Sequence, residues 1–493
     1  MMGQTTPAWR NARAAEQALN VSGKSRCESA PGPAERRPVC ACRRGNAGQR
    51  DSEGTSWPPG VVPPVETMRE LILNAVVGVV LLLGLFSAPG SILILNWIWF
   101  QRPGDFSFEA LSTMPLFTIA LGIAIVSNVA RGQFRPRFPP ILVVFLALLC
   151  WITLSATYAY NEEQAWQAYR RFLPSMWLAP ILLFATIHDL RLLRWTMWVA
   201  AGSVGLTAVK TSAVLTAQGG SYLTQQISGF VGDNNVFGLV LCLVVAMLMG
   251  LRTTLPKKQW VQPAFFGALA LVLLCIVYTR SRGAFASVGI ILFCGAILSD
   301  RPARNVFLLV VAVTGAYIAI PSEYFERLST LGNLELDESA QGRFENWDLA
   351  WRAALENPIF GVGPENHMAY NAALQPGVTI RVAHSIYFQV LGELGFVGLG
   401  LYLLFVWIGL RTLFRTWREM IPVVERHPDL AWVRDTAFWL TCGYVGYIFG
   451  SALLNMLYIE FPWYAIFYGT MLLPLVNREL AARQEAAQAP PPP

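Results

Sequence analysis

Charge is missing from this chain in long blocks. Between Arg137 and Glu162 stand 24 uncharged residues, between Lys258 and Arg280 stand 21, and between Glu393 and Arg411 stand 17. A helix rises about 1.5 Å per residue, so roughly twenty apolar residues cross the ~30 Å hydrocarbon of a bilayer. Inside lipid every backbone N–H and C=O needs a partner within the fold, which makes helices the natural state of such runs. One or two of them would fit buried helices of a soluble protein, but here they recur along most of the chain. Only 14% of its 493 residues are charged, with a mean hydropathy of +0.44, whereas a soluble domain carries about 25% charge. The expected fold class is all-α: a polytopic integral membrane helix bundle.

Apolar runs lie at 71–100, 112–130, 138–155, 172–187, 195–216, 236–251, 260–278, 283–299, 305–320, 388–410, 436–455 and 463–476. Counting 71–100 as one span kinked at Pro89-Gly90, the expectation is about 12 transmembrane helices. One set of connections (131–137, 188–194, 252–258, 300–304 and 411–434) holds 15 Lys/Arg, and the alternate set (156–171, 217–235, 279–282, 321–387 and 456–462) holds eight. Basic loops stay in the cytoplasm, so 321–387 is expected to be a large periplasmic loop and the C-terminus cytoplasmic. The expected divisions are a disordered tail or mis-assigned start over 1–67, N-terminal membrane helices over 68–320, the loop 321–387, C-terminal membrane helices over 388–476, and a tail over 477–493. Met68, in "MREL", stands just before the first apolar run as an alternative start.

The tail is basic, Pro- and Gly-rich and without apolar period, a composition that does not build a core. Its Cys27, Cys40 and Cys42 match no zinc spacing, and the other five cysteines sit in or beside apolar runs as small hydrophobes. No Lys/Arg stripe interleaved with aromatics appears, so the net charge of +6 does not point to nucleic acid.

Polar groups in or beside hydrocarbon are costly and mark functional candidates. Several fall on the expected outer side: Arg170 and Arg171, Lys210, the "GDNN" of Asp233, Asn234 and Asn235, Arg280 and Arg282 in "YTRSRGAFAS", Arg343, and His384 in "VAHSIYFQVLGELGFVGLG". Ser385, Gln389 and Glu393 are four apart and form one polar stripe down a helix. A carboxylate two turns into a span requires an arginine or a water-filled pocket. Each feature also has a structural reading. Glu393 and Gln389 can fix packing, Asp233 and the asparagines can cap the 236–251 helix, Gly283 can ease the turn after Arg282, and the basic side chains can snorkel to headgroups. The loop segment 339–355 places Phe344, Trp347, Trp351 and Leu355 on one face of an amphipathic helix, suited to an interface or lid.

Paired guanidinium groups suit phosphate oxygens, and an imidazole can take a proton from an attacking hydroxyl. No Walker loop, dinucleotide glycine pattern, nucleophile elbow or outer metal cluster accompanies them. The combination fits a donor already activated in the lipid, namely a polyprenyl pyrophosphate-linked glycan, with arginines on the leaving pyrophosphate and His384 assisting an acceptor hydroxyl. No metal and no cofactor are required by this arrangement.

The four segments "RVAHSIYFQVLGELGFVGLGLYL" (381–403), "YTRSRGAFAS" (278–287), "GFVGDNNVFGLVLCL" (229–243) and "GRFENWDLAWRAALENPIFGVGPENH" (342–367) together resemble the O-antigen ligase and polymerase superfamily. The closest likeness is to its O-glycosylation ligase branch, often linked with exosortase systems, and it covers Met68 to about Asn477. The resemblance implies a multi-helix protein of the bacterial inner membrane that transfers glycan from undecaprenyl pyrophosphate to a protein or glycan acceptor at the periplasmic face, without metal. It puts the family histidine on His384, the glutamate and glycine of the same pattern on Glu393 and Gly395, and the arginine of the short outer turn on Arg282. Lipopolysaccharide ligases commonly carry Asn after the histidine and an arginine in the region 217–235; here Ser385 and the "DNN" stand in those places. Lys210, Arg171 or Arg343 are the candidates for the second phosphate ligand. Two other functions compete with ligation: a repeat-unit polymerase with the same donor site, and a polysaccharide transporter, which would line both halves of a pathway with polar groups.

Overall fold

The computed structural model describes residues 64–106, 111, 114–219, 233–319, 338–374 and 382–488. Cys27, Cys40 and Cys42, most of the expected tail, and the loop residues 320–337 and 375–381 lie outside the described residues. Two units emerge, Met1–Pro64 and Val65–Pro493, and the helical bundle is the second. Among the described residues the fold is all-α, with no strand.

The expectation of about 12 transmembrane helices is overturned. Among the described residues five helices are long and apolar enough to cross a membrane: Pro140–Thr157, Leu190–Ala217, Asn234–Thr254, Val261–Tyr278 and Ile386–Arg426. Several other apolar runs break or stop short. The run 112–130 yields Leu116–Ala130, 15 residues, and 283–299 yields Arg282–Ile297, 16 residues; such helices reach only about 22–24 Å. The run 172–187 is interrupted by a π-turn at Pro174–Leu178, leaving Ala179–Thr186 as eight helical residues, because Pro174 and Pro180 supply no N–H to a continuous ladder. The run 71–100 divides at Ser87, whose hydroxyl accepts from Gly90 N–H at 3.0 Å; Pro89 then sits in the first turn, where its missing N–H costs nothing. Two further helices, Ala431–Ser451 with Arg434 and Asp435, and Glu460–Gln488 with Pro474, do not reach the apolarity of the five. Hydropathy counts apolar residues but does not say whether they form one straight helix.

The core is built around the Asn234–Leu251 helix, buried from Val236 through Leu248 on every side. It packs most extensively against Ala431–Ser451. Their approach is close enough that a Cβ on Gly250 would lie 2.5 Å from Thr436 Cα, the small-residue packing expected where lipid gives helices no hydrophobic drive to associate. The Val261–Tyr278 helix is instead mostly exposed, with 22% of its apolar window buried, and presents its side chains outward.

Described residues of the two sets of connections pair within their own set. In one, Tyr160 N–H donates to Val362 O at 2.9 Å, Asn161 N–H to Asn366 Oδ1 at 2.8 Å, and Asn234 Nδ2 to Thr279 O at 2.9 Å. In and beside the other, Arg135 N–H donates to Ala185 O at 2.8 Å, Trp198 Nε1 to Thr254 Oγ1 at 2.9 Å, and Arg483 Nη2 to Asp429 Oδ2 at 2.6 Å.

Candidate functional site

The Ile386–Arg426 helix is broken near its start, at Gly395 (φ 70°, ψ −172°). A break strips neighbouring peptides of their helical partners, and irregular backbone is tolerated at such depth only where protein re-satisfies it. The segment 358–363 does so. Val362 N–H donates to Gly392 O at 3.0 Å, Gly363 N–H to Glu393 O at 2.9 Å, and Phe396 N–H to Pro358 O at 2.9 Å. Trp151 Nε1 donates to Leu394 O at 2.9 Å, and the Ser155 hydroxyl lies 2.7 Å from Phe360 O and 3.1 Å from Glu393 O. Two glycines allow the contact: a Cβ on Gly395 would stand 2.4 Å from Ile359 O, and one on Gly361 (φ 68°) 2.4 Å from Glu393 O.

The polar stripe lies on the short arm before the break. Gln389 Nε2 donates to Glu393 Oε1 at 3.4 Å, and Gln389 Oε1 accepts from Leu457 N–H at 3.4 Å. Where an arginine or a water-filled pocket was expected beside Glu393, the Tyr458 hydroxyl donates to Glu393 Oε2 at 2.5 Å. Burial, and then the Glu393 charge, push the Tyr458 phenol well above its ordinary pKa, so it remains a donor. Its ring stacks on Phe172 with centroids 4.8 Å apart.

His384 is half-buried and sits at φ 48°, in the left-handed region, a conformation that persists in a non-glycine residue only when its surroundings hold it. The peptides on both sides are gripped. Ala383 O accepts from Trp347 Nε1 at 2.8 Å, and Ser385 N–H donates to Asn455 Oδ1 at 3.1 Å. Trp347 is further fixed by stacking on Phe388, 5.1 Å between centroids. On the loop helix Glu338–Glu356, Phe344, Trp351 and Leu355 are exposed, and Leu349, Ala350, Ala353 and Ala354 are buried. Trp347 is the member of the aromatic stripe that turns in.

Arg280 and Arg282 occupy the turn between Val261–Tyr278 and Arg282–Ile297. The left-handed residue is Arg280 (φ 50°), not Gly283, and Ser281 caps the new helix by accepting from Ala284 N–H at 3.3 Å. Arg280 is exposed and Arg282 half-buried. Asp233 is the N-cap of Asn234–Leu251, its carboxylate accepting from Val236 N–H at 2.9 Å, while Asn234 braces Thr279 and Asn235 donates to Asn234 Oδ1 at 3.3 Å. Asp233, Asn234 and Asn235 thus border the arginine turn.

The connection 450–458 joins the two halves. A Cβ on Gly283 would lie 3.6 Å from Gly450 O and 4.0 Å from Leu453 and Leu454 side-chain atoms, and Asn455, Leu457 and Tyr458 then hold Ser385, Gln389 and Glu393. Five residues from Gly450 to Asn455 span at most about 18 Å, so the arginine turn and the histidine share one region. Three further candidates stand on other elements. Arg171 is exposed, with Nη1 3.6 Å from Glu365 Oε2. Lys210 is exposed on Leu190–Ala217, six residues before Thr216, whose hydroxyl meets Tyr278 OH at 2.9 Å. Arg343 is half-buried on the loop helix.

Sequence reasoning missed Asn455 and Tyr458. Their signal was present in "LLNMLYIEF" (453–461), where Asn, Tyr and Glu interrupt an apolar run. It also gave no role to His367, which is 4% exposed beneath the loop helix. Burial pushes its imidazole down to about 4. A depressed histidine pKa means that the folded form resists protonation, so stability is full above the unfolded value near 6.5 and is lost as pH falls toward 4. Acidification through that window is expected to loosen residues 338–374, read as increased amide exchange there, and His367→Gln is expected to flatten the dependence.

Residues 267–403 match the family model described as O-antigen ligase, and residues 68–258 match a family of unknown function. Over that first stretch the chain is similar to O-antigen ligases. No curated protein matches the chain. The stretch 267–403 takes in the arginine turn, the loop helix, His384 and the break at Gly395, whereas Asn455 and Tyr458 lie beyond it. The match supports membership in the O-antigen ligase superfamily and a ligase-type role in glycan transfer. With five long apolar helices, the protein is a multi-pass membrane protein.

Proposed function

We propose that this chain transfers a glycan from undecaprenyl pyrophosphate to a hydroxyl of a protein or glycan acceptor, at the periplasmic face of a bacterial inner membrane. The observation that carries the reading is the connection 450–458, which packs on the arginine turn at Gly283 and holds the peptide after His384 through Asn455. His384 takes the acceptor proton as the acceptor oxygen bonds to the anomeric carbon; the bond from that carbon to the diphosphate oxygen breaks, and the carrier leaves with the electron pair. Arg282 and Arg280 meet the charge that grows on the departing oxygens, where fixed positive groups contribute most. Glu393 acts at one remove, holding Tyr458 and the short arm in place. Lys210, Arg171 and Arg343 remain candidates for further phosphate contacts. The absence of an arginine from 217–235 favours the O-glycosylation branch over a lipopolysaccharide ligase.

The test is reconstitution in liposomes with labelled lipid-linked oligosaccharide and candidate acceptors. En bloc addition of one glycan to a protein supports ligation, and a product ladder without protein acceptor assigns a polymerase instead. Arg282→Ala is expected to lower turnover by about 10²-fold, with Arg282→Lys retaining part of it, as expected for removal of one preorganised group facing the transition state.

A further inference from the structure

At the far end of the Pro140–Thr157 helix, three segments enclose a cavity of about 290 Å³ walled by Phe138, Phe184, Ile187, Met471 and Leu475. Arg137 and Arg478 stand among its lining residues. Ser155, which touches the Glu393 carbonyl, is 18 residues along the chain from Arg137. The helix between them begins at Pro140, and its 15 residues to Ser155 alone put about 22 Å between the cavity and the broken helix. The cavity therefore belongs to the opposite end of the bundle from His384.

Its charge is unbalanced. Burial, and then the neighbouring charges of Arg478 and Arg135, hold the Arg137 guanidinium below its ordinary range. Three arginines crowded in this way ordinarily share a carboxylate. Here the nearby acids are engaged elsewhere: Asp189 accepts from Leu192 N–H at 2.7 Å, and Arg483 is bound to Glu479 at 3.1 Å and Asp429 at 2.6 Å. His188 holds Gln133 O at 2.8 Å, and Arg131 turns away, donating to Ser127 O at 3.0 Å and Leu85 O at 2.7 Å. No ion pair among the described residues includes Arg135, Arg137 or Arg478.

We propose that this cavity binds an anionic glycerophospholipid of the surrounding bilayer, its phosphate between Arg137 and Arg478 and an acyl chain against Phe138, Phe184 and Met471. The two halves of the site select for both halves of the ligand. Guanidinium groups outside any ion pair favour a phosphodiester carrying net negative charge over one already neutralised by its own ammonium. A free phosphate would satisfy the arginines and leave the aromatic wall uncovered. Basic pockets between membrane helices at a Lys/Arg-rich face are suited to such headgroups.

The purified full-length chain in detergent, analysed by native mass spectrometry with phosphatidylglycerol or phosphatidylcholine added, tests this. Phosphatidylglycerol is expected to be retained at least about tenfold better, with the preference lost in Arg137→Gln/Arg478→Gln and kept in Arg137→Lys/Arg478→Lys, which also checks that the fold tolerates change there. His384→Ala is expected to keep the preference, so this site stands or falls apart from the glycan-transfer reading. Equal retention of the two lipids, or an unaffected glutamine variant, overturns the proposal. Displacement of phosphatidylglycerol by inorganic phosphate at equal concentration also overturns it, by showing an anion site with no use for the chain.

Discussion

Replacing His384 with alanine is expected to lower glycan transfer by about 10²–10⁴-fold, the usual range for loss of a positioned general base. The protein should still fold, because the contacts that hold this stretch come from its neighbours: Trp347 grips Ala383 O and Asn455 grips Ser385 N–H. Steady-state transfer in liposomes gives the turnover, and a residual rate within a few-fold of the parent would remove His384 from the chemistry. The same geometry makes a companion prediction. Asn455→Leu leaves the imidazole present but releases the peptide that follows it, so turnover falls with little change in donor KM, while Asn455→Asp, which keeps an acceptor oxygen, retains activity. Hydrogen exchange at residues 383–386 separates the two possible failures. Unchanged protection in Asn455→Leu means that the grip is absent, whereas raised protection loss with unchanged turnover means that the imidazole is not the base.

Gly395→Ala is expected to be strongly destabilising. Its φ of 70° is a region that L-residues enter at a cost of about 1–3 kcal/mol, and the added carbon would stand 2.4 Å from Ile359 O and 2.7 Å from Pro358 O. Both atoms are backbone, so no side-chain rotation relieves the overlap. The expected outcome is expulsion of 358–363 from the broken helix, exposing Gly392 O, Glu393 O and Phe396 N–H together. Each such unsatisfied group costs about 1–3 kcal/mol when buried. Thermal unfolding in detergent should shift down sharply, and the Val362 and Gly363 amides should lose protection. If both measurements match the parent, the segment does not sustain the break.

Of the four segments that resemble O-antigen ligases, three (278–287, 342–367 and 381–403) lie within the match over 267–403, and the fourth (229–243) lies within the match to a family of unknown function. Apolar runs outnumber the long helices because a run need not be one helix. Pro174 and Pro180 interrupt theirs, and 15- or 16-residue helices fall short of the hydrocarbon thickness. Glu393 shows the other kind of miss. Its depth in an apolar segment was plain, yet its partner, Tyr458, lies 65 residues away.

Local chemistry was determined by the sequence alone: an all-helical, charge-poor chain, Asp233 and the polar stripe at helix starts, and basic connections alternating with less basic ones. These depend on side-chain type and on the 3.6-residue period, which act over a few neighbours. Only the tertiary structure decided that Gly395 breaks its helix around residues 358–363, that Asn455 and Trp347 hold the peptides beside His384, and that Arg135, Arg137 and Arg478 gather outside the ion pairs of the described residues. A buried carboxylate or an opened peptide must find a partner somewhere, but which distant segment supplies it depends on how the helices pack.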